Sequence, residues 1–209
     1  MECFVALVIF GFIAVLASGV GLGLGPQSTG RAYQALTRRF GGTYQRGRVF
    51  RRPTVRFRYG PTWVTISPGP KRGQTRTTQA LLQWPDGWTD VRIETTDPFH
   101  RNSSNAAKSI SLGDEDFDRR YHVTGQPASS VRKLLSDGVR WQINKLCQFF
   151  DCPFIDVSIR SGRMLVEKPA LFRRNQDLEQ FTQLCLELFD QAMLTRSEGI
   201  EFTDNSDEA

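Results

Sequence analysis

The stretch from Gly113 to Gly125, GDEDFDRRYHVTG, gathers the side chains best placed to do chemistry: Asp114, Asp116 and Asp118 at alternate positions, with His122 just beyond. Alternating carboxylates can ligate a hard cation, and a carboxylate beside a histidine can move protons. A calcium loop of the EF-hand kind, however, requires glycine at its sixth position and a bidentate glutamate at its twelfth. Counted from Asp114, those positions hold Arg119 and Gly125. Proton transfer would need a nucleophile or acid within about 3 Å of His122, and no motif supplies one. The acids therefore read as the start of a strand, with Phe117, Tyr121 and Val123 packed inward and His122 outward. Asp118 is expected to pair with Arg119, Arg120 or a base elsewhere.

Nucleotide chemistry finds no better footing. Neither SGVGLGLG nor RFGGTYQRG has the strand, glycine-rich loop and helix of a phosphate cradle, and no GKS or GKT occurs. Apart from Cys3, the cysteines are Cys147, Cys152 and Cys185, an odd number without CxxC spacing, which reads as reduced thiols. No catalytic residue, cofactor or metal is assigned.

A second concentration is electrical. Arg38 to Gly60, RRFGGTYQRGRVFRRPTVRFRYG, holds eight arginines and no acid, and no Asp or Glu occurs between Cys3 and Pro85. The net charge of +5 hides a polarity. Twelve bases face Glu2 alone up to Pro85, whereas the remainder carries fifteen bases against twenty-one acids. Just before the basic segment, Phe4 to Gly25 carries no charge, and roughly 20 apolar residues suffice for a helix to cross a hydrocarbon core. The run is expected to be a retained transmembrane anchor. A cleaved signal peptide is the rival, because small residues stand at Ala14 and Ala17 within the run, but a basic n-region is missing and Glu2 is the only charge before the run. Gly19, Gly21, Gly23 and Gly25 could let two such helices approach closely.

Arginine and lysine close to a membrane helix favour the cytoplasmic side, so the domain is expected in the cytoplasm with the N-terminus outside. Arg31, Arg38, Arg39, Arg46 and Arg48 are then candidates for contact with an anionic leaflet, each contributing on the order of 1 kcal/mol near the surface. Nucleic acid is not the expected partner, because the arginines follow a hairpin face rather than a recognition helix or a stacking platform.

The elements that must position these groups read as follows. Residues 1–25 form the anchor, 26–37 a linker, 38–202 an α+β domain and 203–209 an acidic disordered tail. In TVRFRYGPTWVTIS, a turn at Gly60-Pro61 pairs Phe57 with Val64 and Val55 with Ile66, and sets Arg58 opposite Trp63 for a cation–π contact. TTQALLQWPDGWTDVRIET gives two strands around Pro85-Asp86-Gly87, with Trp84, Trp88 and Ile93 closing one end of the sheet. Residues 99–110 read as a polar loop. Val131, Leu134, Leu135, Val139, Ile143, Leu146 and Phe150 make one amphipathic helix over 127–151. IDVSIRSGRMLVEK is a hairpin that pairs Ile159 with Met164 and Val157 with Val166 about Ser161-Gly162. Asn175 caps a final helix whose buried stripe is Leu178, Phe181, Cys185, Leu188 and Ala192. Strands followed by helix, hairpin and helix indicate an antiparallel sheet with two packed amphipathic helices.

The pattern of Asp114, Phe117, Asp118, Tyr121 and Val123, then Leu134, Leu135 and Leu146, then Gly162, Leu165 and Val166, resembles a group of bacterial membrane-anchored proteins of unknown function. They share a D-x-x-F-D-x-x-F/Y-x-V strand, an amphipathic helix and a β-hairpin. The resemblance covers roughly residues 110–170 and implies an anchored α+β domain, with no active site carried over. The expectation is a single-pass membrane protein whose cytoplasmic domain is a non-catalytic binding or scaffolding module, with an anionic lipid surface and a protein as partners. Two alternatives stand: a membrane-tethered hydrolase in which the Asp114–Asp118 acids meet His122 or His100 in a pocket, and an exported domain if the N-terminal segment is cleaved.

Overall fold

Period-two burial runs through nearly every strand of this chain, and it builds one sheet with a covered face and an open one. The structure is a computed structural model that describes residues 24–47, 52–72, 75–85, 89–96 and 109–204. Helix α1 (Leu24–Phe40) leads into strands β1 (Thr43–Gln45), β2 (Thr54–Tyr59), β3 (Thr62–Arg72), β4 (Thr75–Gln83) and β5 (Asp90–Thr95). Helix α2 (Glu115–Arg120), strand β6 (Tyr121–Gln126), and helices α3 (Ala128–Leu134) and α4 (Asp137–Gln148) follow. The chain continues through β7 (Asp156–Arg160), β8 (Arg163–Lys168) and α5 (Asn175–Asp204). The fold is α+β, with the eight strands in the order β1-β2-β3-β4-β8-β7-β5-β6 and every neighbouring pair antiparallel.

Both local hairpins take the expected register, Phe57 opposite Val64 and Ile159 opposite Met164. Val55, Phe57, Val64, Ile66, Ala80, Leu82, Met164, Val166, Val157, Ile159, Val91, Ile93, Tyr121 and Val123 are buried on the helix-covered face. Leu178, Phe181, Cys185, Leu188 and Ala192 of α5 are buried as well, the stripe expected of that helix.

Four expectations are corrected. First, β4 and β5 do not pair with each other: β8 and β7 lie between them. Three strand spacings amount to about 14 Å, which the six residues from Trp84 to Thr89 can bridge at roughly 3.4 Å each. The inserted hairpin gives Leu82 and Ile93 the apolar neighbours Met164 and Val157. Trp84 and Ile93 are buried, while Trp88 lies outside the described residues.

Second, the segment expected as a linker over 26–37 lies within helix α1. Its polar composition conceals Ala32, Tyr33 and Leu36, buried at helical spacing. Phe40 completes the seam by stacking on Phe57, with ring centroids 5.1 Å apart. Third, the helix expected over 127–151 is broken in two. Leu135 leaves helical geometry at ψ 52°, Ser136 is extended at ψ 167°, and the Ser136 hydroxyl meets that of Thr195 at 3.0 Å. The break lets α3 pack on β6 while α4 lies along α5. Fourth, the cation over Trp63 is Arg56, at 4.4 Å from the ring centre, not Arg58. Arg58 is directly opposite Trp63, but sheet twist brings the long diagonal side chain over the indole.

The apolar run lies in residues 1–25, almost wholly outside the described residues. Among those described, no helix is long and apolar enough to cross a membrane. The expected tail begins inside α5, which continues to Asp204.

Candidate functional site

The Asp114–His122 stretch resolves into a capped turn of helix rather than the start of a strand. Asp114 Oδ1 accepts the Phe117 amide at 3.1 Å, making Asp114 the N-cap of α2. Acids in a first turn favour this outcome, because their side chains satisfy free amides and oppose the positive helix end. The strand begins only at Tyr121. Asp118 turns back to the preceding loop, accepting the Ser111 hydroxyl at 2.7 Å and the amides of Leu112 and Gly113 at 3.0 and 3.3 Å. Burial opposes the ionised form, yet these donors and nearby Arg140 outweigh it and hold the Asp118 carboxyl below its usual range. Asp116 pairs with Arg119, and Asp114 lies 3.6 Å from Arg140.

Phe117, Tyr121 and Val123 are buried as expected. His122 faces the open side of the sheet, opposite Glu94 in register. All three aspartates thus have structural partners, and none of those partners is His122. His100 lies outside the described residues.

The open face carries a polar row that no single segment of sequence announces. His122, Glu94, Asp156, Glu167 and Gln79 occupy successive cross-strand positions on β6, β5, β7, β8 and β4. Arg92 bridges Glu94 at 2.5 Å and Asp156 at 3.1 Å, and Gln79 Nε2 donates to Glu167 at 2.7 Å. These contacts tie β5 to β7 and β4 to β8. Among the described residues no group of three His, Cys, Asp or Glu is placed to hold a metal ion.

The basic residues divide into two kinds. Arg38 and Arg39 lie in the last turn of α1, where cations complement the helix dipole, and Arg39 pairs with Glu179 at 2.9 Å. Arg46 is exposed just past β1, and Arg48 lies outside the described residues. Arg31, exposed on α1, instead lines an open depression of about 510 Å³ with Arg173, Arg174, Asn175 and Gln176. Arg173 and Arg174 are exposed at the start of α5, and none of the three arginines forms an ion pair among the described residues.

Sequence reasoning passed over Arg173 and Arg174. The available signal was an Arg-Arg pair directly before Asn175, which is the first helical residue of α5 rather than the cap expected there, and nothing local joins that pair to Arg31. The fold does so, because α1 packs along α5 through buried Ala32, Tyr33 and Leu36.

No protein-family model and no curated protein matches the chain. Among solved structures it is similar to the crystal structure of the mycobacterial trehalose monomycolate transport factor A, TtfA. The two are 14% identical with a TM-score of 0.47, over 75% of this chain and 93% of that chain.

Proposed function

We propose that this chain is a single-pass membrane protein whose α+β domain is a non-catalytic binding module held on the cytoplasmic side, with a basic surface toward the anionic leaflet. One observation carries the reading: the uncharged run of Phe4–Gly25 leads in sequence into α1, and no carboxylate occurs from there through β4. Helix α1 and strands β1 to β4 are contiguous in the domain, which keeps the bases of this segment together, although Glu179 and Asp190 of α5 and Glu167 of β8 reach it. Juxtamembrane cations of this kind are drawn to anionic lipid within about a Debye length. Arg31, Arg38, Arg39, Arg46 and Arg48 supply the sequence-local charge, and Arg173 and Arg174 add to it.

The test is topology. With a tag placed after Ala209, the expected result is a full-length, membrane-bound product whose tag is protected from protease added outside the cell. A shortened soluble product would replace the anchor with a cleaved signal peptide, and an accessible tag on a full-length product would reverse the orientation.

A further inference from the structure

We propose that the depression between α1 and the start of α5 is a seat for a phosphoryl group, with Arg31, Arg173 and Arg174 as its ligands. The lining residues are Arg31, Arg173, Arg174, Asn175 and Gln176, each bearing a side-chain donor and none a carboxylate. A guanidinium presents a planar fork that matches two phosphate oxygens at once, which an ammonium cannot do. The nearest acids in sequence are Asp177 and Glu179, and Glu179 is held by Arg39. Elsewhere in the fold Arg39, Arg92, Arg119 and Arg140 each face a carboxylate. The three arginines of the depression have no carboxylate partner among the described residues, and a bound anion would supply one.

The backbone carrying the pair is held in place. Phe172, fully buried before Arg173, packs on Phe181 at 5.2 Å and on Phe149 at 5.5 Å. The Arg174 carbonyl accepts the Leu178 amide at 3.2 Å.

A neighbouring apolar group points to the source of the phosphate. Phe150 stacks edge-on against Phe172 at 5.1 Å yet remains 45% exposed, and Phe154 in the same loop is 37% exposed. Phe150 reaches the site through Phe172, the residue before Arg173, and an exposed phenyl ring offers apolar contact that an acyl chain can use and a free phosphate cannot, so a phosphodiester lipid headgroup fits the surroundings better than a free phosphate. The preference for lipid rests on the membrane-anchored reading; the phosphoryl chemistry does not.

The experiment uses the full chain in nanodiscs of the phosphate-free lipid digalactosyldiacylglycerol alone or with phosphatidylglycerol, and follows hydrogen exchange of amides 173–178. The expected result is exchange slowed several-fold by phosphatidylglycerol, lost in the combined Arg31→Gln, Arg173→Gln, Arg174→Gln variant and retained in Arg58→Gln. Slowing by millimolar glycerol phosphate in discs of digalactosyldiacylglycerol alone, lost in the same variant, would support the seat with a soluble source. If the chain does not enter discs but glycerol phosphate still slows exchange in solution, the seat stands and the anchor fails. No slowing by either compound in a disc-embedded chain overturns the seat and leaves the anchor standing. Slowing that survives the triple substitution also overturns it, and an unchanged melting temperature confirms that these exposed substitutions leave the fold intact.

Discussion

The Tyr59 hydroxyl donates to the Asp190 carboxylate at 2.6 Å, joining residues 131 positions apart. The bond fastens β2, one strand in from the sheet edge, to the middle of α5. The carboxylate holds the phenolic proton, and together with burial it raises the Tyr59 pKa to about 12. An acid whose pKa rises on folding contributes its full stability below the unfolded value near 10 and loses it as pH climbs through the folded value. Between about pH 10 and 12 the melting temperature of the native chain is therefore expected to fall more steeply than that of Tyr59→Phe. Parallel curves would remove this bond from the account. At neutral pH the same substitution is expected to cost about 0.5–1.5 kcal/mol.

Asp118 has the opposite sign. Its carboxyl is held below the usual range by the loop donors and Arg140, so its contribution is present above the unfolded pKa and is lost as pH falls through the folded one. Asp118→Asn should be less stable than the native chain at pH 7, and the gap should close on acidification. Urea titrations at pH 7 and at about pH 3 measure both quantities, and a gap unchanged by acid would show that the charge does not matter.

Lys168 is fully buried, and its ammonium donates to the carbonyls of Leu146, Cys147 and Cys152 at 2.9, 2.8 and 2.5 Å. It closes the C-terminal end of α4 and ties the following loop to the sheet, although burial lowers its pKa. Lys168→Met leaves those carbonyls without their donor and should destabilise by about 1–3 kcal/mol. The half-buried thiol of Cys152 should then react faster with a thiol reagent. Native labelling rates together with native stability would show that the loop does not depend on the lysine.

Helix α1 is part of the core. Leu36, only 2% exposed, should cost about 2–5 kcal/mol when cut to alanine, with a single unfolding transition retained. A cost below about 0.5 kcal/mol, the range of a surface change, would mean that α1 is an appendage.

Sequence alone determined whatever depends on neighbours within about one turn or one hairpin. Alternation about Gly60-Pro61 and Ser161-Gly162 set two hairpins to the correct register, because a slip of one residue would turn every apolar side chain outward. The stripe of α5 and the inward positions of Phe117, Tyr121 and Val123 follow from the same periodicities.

Only the tertiary structure decided which strands became neighbours, since many pairings bury the same residues and the choice rests on the sheet as a whole. It separated β4 from β5 and broke the long helix at Ser136, where two elements offered different partners, whereas the Asp114 and Asp118 caps lie within seven residues of the groups they bind and were a local signal passed over. It also brought Arg31 to Arg173 and Arg174, which local pattern could not foresee, because charges on separate elements meet only after apolar burial has set the angle at which those elements pack.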